Sequence, residues 1–253
     1  MDKRNTTAPE ITNKESAKKG RFARFIAKLT ASYNRKRLLK KWSHHADPRS
    51  LDWDWSKTHY NRIAVVNLLL SHFDNPAYLE IGCHLNTLFD SAPTMNKIGV
   101  DPSSGGNTRL TSDEFFKINN DRFDVVFIDG LHTYEQARRD IINSINTLNP
   151  GGWIAIHDML PRNWIEQHVP VITNKAWTGD VWKTAFELKD TNGIQFKIIK
   201  IDCGVGVFKV IDPNVTLKDS MSVLLHQEFS YYYDNLEKLP IIEWDAAQKW
   251  LRP

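Results

Sequence analysis

The sequence predicts an α/β protein: a doubly wound, mostly parallel sheet of seven strands, preceded by a basic helix and followed by a helical appendage. Three observations carry this prediction. Short apolar runs alternate with helical stretches from residue 77 to residue 210. Runs such as Val125-Val126-Phe127-Ile128 and Trp153-Ile154-Ala155-Ile156 are apolar without alternation, as strands covered by helices on both faces are. The chain has 253 residues, 41% of them hydrophobic and 25% charged, which is enough for one substantial core.

In chain order, residues 1–15 are polar and are expected to be disordered. Residues 16–57 make a basic amphipathic helix and an approach loop. Phe22, Phe25, Ile26, Leu29 and Tyr33 fall on one helix face among lysines and arginines. The loop is rich in Trp, Asp and His, and its adjacent His44 and His45 read as solvated. Residues 58–213 form the main domain, opening with a helix over Thr58–Ser71. Strands are expected at Ala77–Ile81, Lys97–Val100, Thr108–Leu110, Phe123–Ile128, Trp153–Ile156, Gln195–Ile201 and Gly204–Val210. A helix over Tyr134–Leu148 is closed by Asn149-Pro150-Gly151-Gly152. Asp202-Cys203 leaves no room for a helix, so the last two strands form an antiparallel pair. Residues 214–253, with Tyr231, Tyr232, Tyr233 and Trp244, are expected to be a helical appendage.

Composition narrows the function classes. Two cysteines imply no disulfide framework and fit a reducing compartment. No apolar run is long enough to span a bilayer, and no secretory signal is visible, so a cytoplasmic location is expected. Charge is divided unevenly. Residues 1–41 carry thirteen Lys/Arg against three Asp/Glu, and the remainder carries twenty against twenty-seven. Such an arm suits an anionic membrane surface or a partner, or packs on its own domain with its lysines solvated. It offers no nucleic-acid motif beyond charge, so nucleic acid is not an expected partner.

In a doubly wound sheet, ligands bind beyond the carboxyl ends of the strands. The first strand ends in Glu80-Ile81-Gly82-Cys83, where Gly82 permits a tight turn and Glu80 can accept hydrogen bonds. Asp101 ends the second strand nineteen residues after Gly82, a spacing suited to ribose hydroxyls. Each feature alone is ordinary, a turn or a helix cap; together they favour a nucleoside. Gly82 is followed by Cys83, His84, Leu85, Asn86 and Thr87, which lacks the small residues a pyrophosphate needs, so nicotinamide cofactors are disfavoured. Asp129 and His132 follow one strand, and His157 and Asp158 end the next. Four polar groups on adjacent strand ends suit a base-plus-metal set better than four separate caps.

YLEIGC, GVDP, TSDEFF, FDVVFIDGLHTYEQ, LNPGGWIAIHD and GDVWK together resemble the class I S-adenosylmethionine-dependent methyltransferases found among polysaccharide-biosynthesis enzymes. The likeness covers about residues 58–210. It implies a Rossmann-like fold in which Glu80 and Gly82 flank the cofactor's methionine portion and Asp101 holds the ribose. It further implies Ser112 and Asp113 at the adenine and Asp129 beside the sulfonium. His132 matches a general base of sugar O-methyltransferases. Asp129 and Asp158, with His157, match positions that hold a divalent cation such as magnesium; the metal-binding relatives usually show Asp-Asp or Asp-Asn where this chain has His157-Asp158. The segment Ala176–Lys183 would face the acceptor, with Trp182 packed inward and Asp180 on the substrate. The implied activity is O-methylation of a sugar hydroxyl in a lipopolysaccharide, O-antigen or capsule glycan. The arm would then hold the enzyme at the inner membrane face, near a lipid-linked acceptor. A small-molecule O-methyltransferase and a non-catalytic protein of the same fold are the competing expectations.

Overall fold

The computed structural model describes residues 32–173 and 176–252. The expected disordered tail and most of the amphipathic stripe lie outside the described residues. The chain divides into two units, Met1–Ala46 and Asp47–Pro253. In the first, residues 32–41 form helix α1 and Ser43–His45 a 3-10 turn; Tyr33 is exposed. The second unit begins ahead of the expected boundary at residue 58, so the loop from Asp47 onward belongs to it. That loop includes a 3-10 turn at Trp55–Lys57, and the helix after it, α2, starts at Arg62 rather than Thr58 (Arg62–Leu70). Asn61 sets that start by accepting from the Ile63 N–H at 2.9 Å.

The remaining elements are β1 (Tyr78–Ile81), α3 (Thr87–Ser91), β2 (Lys97–Val100), α4 (Ser112–Ile118), β3 (Phe123–Ile128), α5 (Tyr134–Asn146) and β4 (Leu148–Ile156). They continue with α6 (Trp164–Gln167), α7 (Lys183–Lys189), β5 (Ile194–Ile199), β6 (Val205–Val210), α8 (Met221–Leu224), α9 (Phe229–Asp234), β7 (Ile241–Ile242) and α10 (Trp244–Trp250). The seven-stranded sheet has the order β2-β1-β3-β4-β6-β5-β7. β2, β1, β3 and β4 are parallel neighbours, β6 is antiparallel to both β4 and β5, and β7 is parallel to β5.

Seven strands were expected, but one differs. Thr108–Leu110 forms no strand; a single bridge pairs Thr108 with Val100. The seventh strand is instead Ile241–Ile242, from the segment expected to be a purely helical appendage. Asn149-Pro150-Gly151-Gly152 does not close a helix either. It lies inside β4, where the register with β3 jumps from Phe123↔Leu148 to Val125↔Trp153.

Alternate strand residues feed two cores, as a sheet covered on both faces requires. Leu79, Ile81, Val126, Ile128, Ile154 and Ile156 pack with Phe115 of α4, Ile141 of α5 and Leu188 of α7. On the other face Tyr78, Val125, Phe127 and Ala155 pack with Val66 and Leu69 of α2, Phe89 of α3 and Ala247 of α10. Among the described residues, no helix is long and apolar enough to cross a membrane.

Candidate active site

Parallel register makes four strand ends flush. Val100, Ile81, Ile128 and Ile156 pair side by side, so Asp101, Gly82, Asp129 and His157 leave the sheet along one rim. A cavity of about 930 Å³ opens there. Gly82 has φ +86°, and a Cβ on it would lie 2.1 Å from the carbonyl oxygen of Asp129, so the ends of β1 and β3 meet only through glycine.

Most of the expected cofactor residues reach this cavity. Asp101 lines it and knots two loops together: Oδ1 accepts from the Ser103 and Ser104 N–H groups at 2.8 Å, and Oδ2 from the His84 N–H at 2.9 Å. Burial opposes its charge, but the Ser104, His84 and Ser103 N–H groups outweigh it and hold the carboxyl below its ordinary range. Oδ2 carries one protein donor and keeps room for another. Ser112 lines the cavity at the first turn of α4, whose start is fixed by a capping box between Thr111 and Glu114. Two residues fall elsewhere. Asp113 faces solvent, 3.5 Å from Arg139. Glu80 lies beneath the rim, 2% exposed, where it accepts from the Tyr78 hydroxyl at 2.6 Å.

The acidic and imidazole groups converge. Asp129 Oδ1 is 3.2 Å from His132 Nε2 and 3.3 Å from His157 Nδ1. Asp158 Oδ2 is 3.0 Å from His132 Nδ1, and its Oδ1 is 3.2 Å from His157 Nδ1. Asp180 is absent from the cavity wall: its Oδ1 accepts from the Tyr134 N–H and its Oδ2 pairs with Lys183 at 2.8 Å. Trp182, expected to pack inward, is fully buried.

A model of the methyltransferase domain matches residues 17–159, more than half of the chain. The chain belongs to the methyltransferase domain family. No curated protein matches it. Among solved structures, this methyltransferase is similar to an O-methyltransferase from Bacillus cereus in complex with SAH. The two share 11% identity over 70% of this chain and 90% of that one, with a TM-score of 0.45. It is also similar to TomG, an O-methyltransferase of Streptomyces achromogenes involved in tomaymycin synthesis, solved with SAM. There the identity is 12% over 61% and 82% of the two chains, with a TM-score of 0.42.

Three further residues complete the rim. Asp202 arrives on the β5–β6 hairpin, where Asp202, Cys203 and Gly204 all have positive φ. Its Oδ2 accepts from the Arg62 N–H at 3.1 Å and from Arg62 Nη1 at 3.0 Å. Arg62 Nη1 is also 2.9 Å from His157 Nε2, and Arg62 Nε is 4.0 Å from Asp129 Oδ2. Trp177 stacks on His132 with ring centroids 5.2 Å apart, its indole N–H held by the His168 carbonyl. A signal for Asp202 was present in the sequence, because a turn joining an antiparallel pair beside β4 has to lie at the carboxyl rim.

Electrostatics follow from three carboxylates in a small space. Burial disfavours a charged His157, but the charges of Asp158 and Asp129 outweigh it and raise its pKa. His132 is raised in the same way, by its bond to Asp129 and the charge of Asp158 acting against burial. Asp202 is lowered to about 2 because His157 and Arg62 overcome its burial. Three carboxylates against one guanidinium leave the rim two positive charges short when both imidazoles are neutral. The donors fit a divalent cation: Asp129, His132 and Asp158 each bring an atom within 4.8 Å of the others. His157 Nδ1, buried between the same two carboxylates, makes no hydrogen bond.

Proposed function

We propose that this methyltransferase takes S-adenosylmethionine as methyl donor and O-methylates a sugar hydroxyl of a glycan, with His132 as the proton acceptor. The observation that carries the reading is the placement of His132 beside Asp129 on a cavity that Asp101 and Ser112 also line. When bound, S-adenosylmethionine supplies a methyl group already activated on a sulfonium. Asp101 offers the free side of Oδ2 to ribose hydroxyls, Ser112 meets the adenine, and Asp129 and Gly82 border the methionine end. Holding donor and acceptor in line contributes on the order of 7–11 kcal/mol at best. His132 Nδ1 lies 3.2 Å from the Trp177 carbonyl and 3.0 Å from Asp158 Oδ2; with the ring neutral and its proton on Nδ1, Nε2 is the atom that takes the hydroxyl proton. Asp129, next to Nε2, stabilises the imidazolium that results. A divalent cation at Asp129, Asp158 and His157 would supply a fixed positive charge that orients the acceptor's hydroxyls.

A methyl-transfer assay over a panel of sugars and small phenols tests the reading. The wild type is expected to methylate a sugar hydroxyl. His132→Ala should lose about 10²–10⁴-fold in turnover while binding S-adenosylhomocysteine nearly as before. Near-normal turnover in that variant removes His132 from the chemistry, and transfer to phenols alone replaces the acceptor class. The same reading places the enzyme against an anionic membrane, with the basic arm at the lipid headgroups and a lipid-linked glycan as acceptor.

A further inference from the structure

His157 is 7% exposed, and its Nδ1 makes no hydrogen bond although Asp129 Oδ1 and Asp158 Oδ1 lie 3.3 and 3.2 Å away. At those distances an N–H pointing at either oxygen would form a bond, so the carboxylates flank the nitrogen instead of meeting it head on. Atoms spaced this way resemble adjacent ligands of one ion: bonds of about 2.0–2.3 Å at right angles put ligand atoms about 3 Å apart. The charge count agrees. A dication beside neutral imidazoles balances Asp129, Asp158, Asp202 and Arg62.

His132 also stands near the two carboxylates, with Nε2 3.2 Å from Asp129 and Nδ1 3.0 Å from Asp158, but its Nδ1 also faces the Trp177 carbonyl at 3.2 Å and its Nε2 is the proton acceptor of the proposed reaction. Its side chain is 21% exposed at the cavity, where a proton acceptor belongs. The more buried ring, whose Nδ1 lies between both carboxylates without a head-on hydrogen bond to either, is therefore the better ligand. Magnesium prefers oxygen ligands throughout, whereas an imidazole nitrogen favours first-row transition metals.

We infer that the rim binds a first-row transition-metal ion in preference to magnesium, through Asp129, Asp158 and His157 Nδ1, and that Asp202 is the positioning residue that orients the imidazole. With Nδ1 on the ion, the Nε2–H would donate a hydrogen bond to Asp202 Oδ2, now 3.5 Å away. Arg62 Nη1, now 2.9 Å from Nε2, would turn wholly toward Asp202. The inference rests on the methyltransferase reading for the identity of the site, yet it needs neither the methyl donor nor the acceptor.

The test uses the full-length protein stripped with a chelator and titrated with cobalt(II), manganese(II) and magnesium(II) chlorides. Cobalt uptake is followed by its visible d–d bands, the other two ions by calorimetry. Cobalt and manganese are expected to bind at least about tenfold more tightly than magnesium. His157→Ala should abolish the cobalt bands, Asp202→Asn should weaken cobalt binding about 10–100-fold, and His132→Ala should leave it within a few-fold. His157→Asp should shift the preference back toward magnesium. Circular dichroism and a cooperative melt of each variant report that it is folded, and S-adenosylhomocysteine binding is measured separately. Magnesium binding as tight as cobalt binding overturns the inference, as do cobalt bands that survive in His157→Ala or vanish in a folded His132→Ala. If the wild type binds cobalt but not S-adenosylhomocysteine, the proposed activity fails and the metal site stands.

Discussion

Glu80 illustrates how a residue can look functional in sequence and be structural in the fold. The strand directs it away from the cavity into a pocket where Tyr78 is its hydrogen-bond donor. Burial raises its pKa to about 7, ahead of the opposing bond from Tyr78. The folded state therefore keeps a proton that the unfolded chain, with an ordinary carboxyl near 4.5, has already lost. The penalty is absent below pH 4.5, grows as pH rises toward 7, and is constant above that. Glu80→Gln keeps an oxygen for the Tyr78 hydroxyl and removes the charge. It should change stability little at pH 5 and raise it at pH 8, by about 3 kcal/mol at most. Urea denaturation at the two pH values measures this; an equal change at both would mean that Glu80 does not titrate in that range. Asp101 is the opposite case. Its separation from Gly82 was legible in the sequence and its carboxylate is on the cavity, but the backbone N–H groups it gathers from two loops were not legible, since they depend on turns that leave no pattern.

Among the elements, α5 shows why GDVWK misleads. Its own cap residue, Thr133, makes no side-chain cap bond; the cap comes from Asp180, across 46 residues of chain. Gly179 fits closely beneath it, since a Cβ there would lie 1.7 Å from the His132 carbonyl oxygen. Asp180 thus braces the loop that presents His132, where it was expected on the substrate, while Ala176 and Trp177 of the expected Ala176–Lys183 segment line the cavity. Asp180→Ala removes a cap worth about 1–2 kcal/mol and leaves the buried Lys183 ammonium with one acceptor fewer. A lower melting temperature and slower turnover are expected, with Asp180→Asn recovering part of both. An Asp180→Ala enzyme of unchanged stability that loses only acceptor affinity would restore the substrate role. The strands were unevenly legible for comparable reasons. Lys97–Val100 and Phe123–Ile128 could be read residue for residue, because a polar side chain ends each apolar run. Asn149-Pro150-Gly151-Gly152 was a true local signal of the wrong kind, marking a register break within β4. Ile241–Ile242 is too short for any periodicity to reveal.

For the whole molecule, the rim was legible because parallel α/β topology forces strand ends to one edge, so Asp129, His132, His157 and Asp158 could be placed together from order alone. Arg62 was harder to place, since a helix start reaches the rim through packing, which sequence spacing does not encode; the turn that carries Asp202 is put there by the antiparallel pairing of β6 with β4. The charge division needs no structure to be read. Residues 1–41 hold ten more basic than acidic side chains, while the remainder holds seven more acidic than basic. A neutral-headgroup surface offers this chain no electrostatic attraction, whereas an anionic one attracts the arm by about 1 kcal/mol per Lys or Arg near the surface and repels the acidic remainder. The full-length protein should therefore co-sediment with vesicles containing phosphatidylglycerol and not with vesicles of phosphatidylcholine alone. Raising the salt toward 1 M, where the screening length is about 3 Å, should release it. Removing residues 1–46, the first unit, should abolish vesicle binding and leave methyl transfer to a soluble acceptor intact. If the truncated protein sediments as the full chain does, attraction resides in the methyltransferase unit and the arm has another purpose; if binding persists in high salt, apolar insertion rather than charge holds it there.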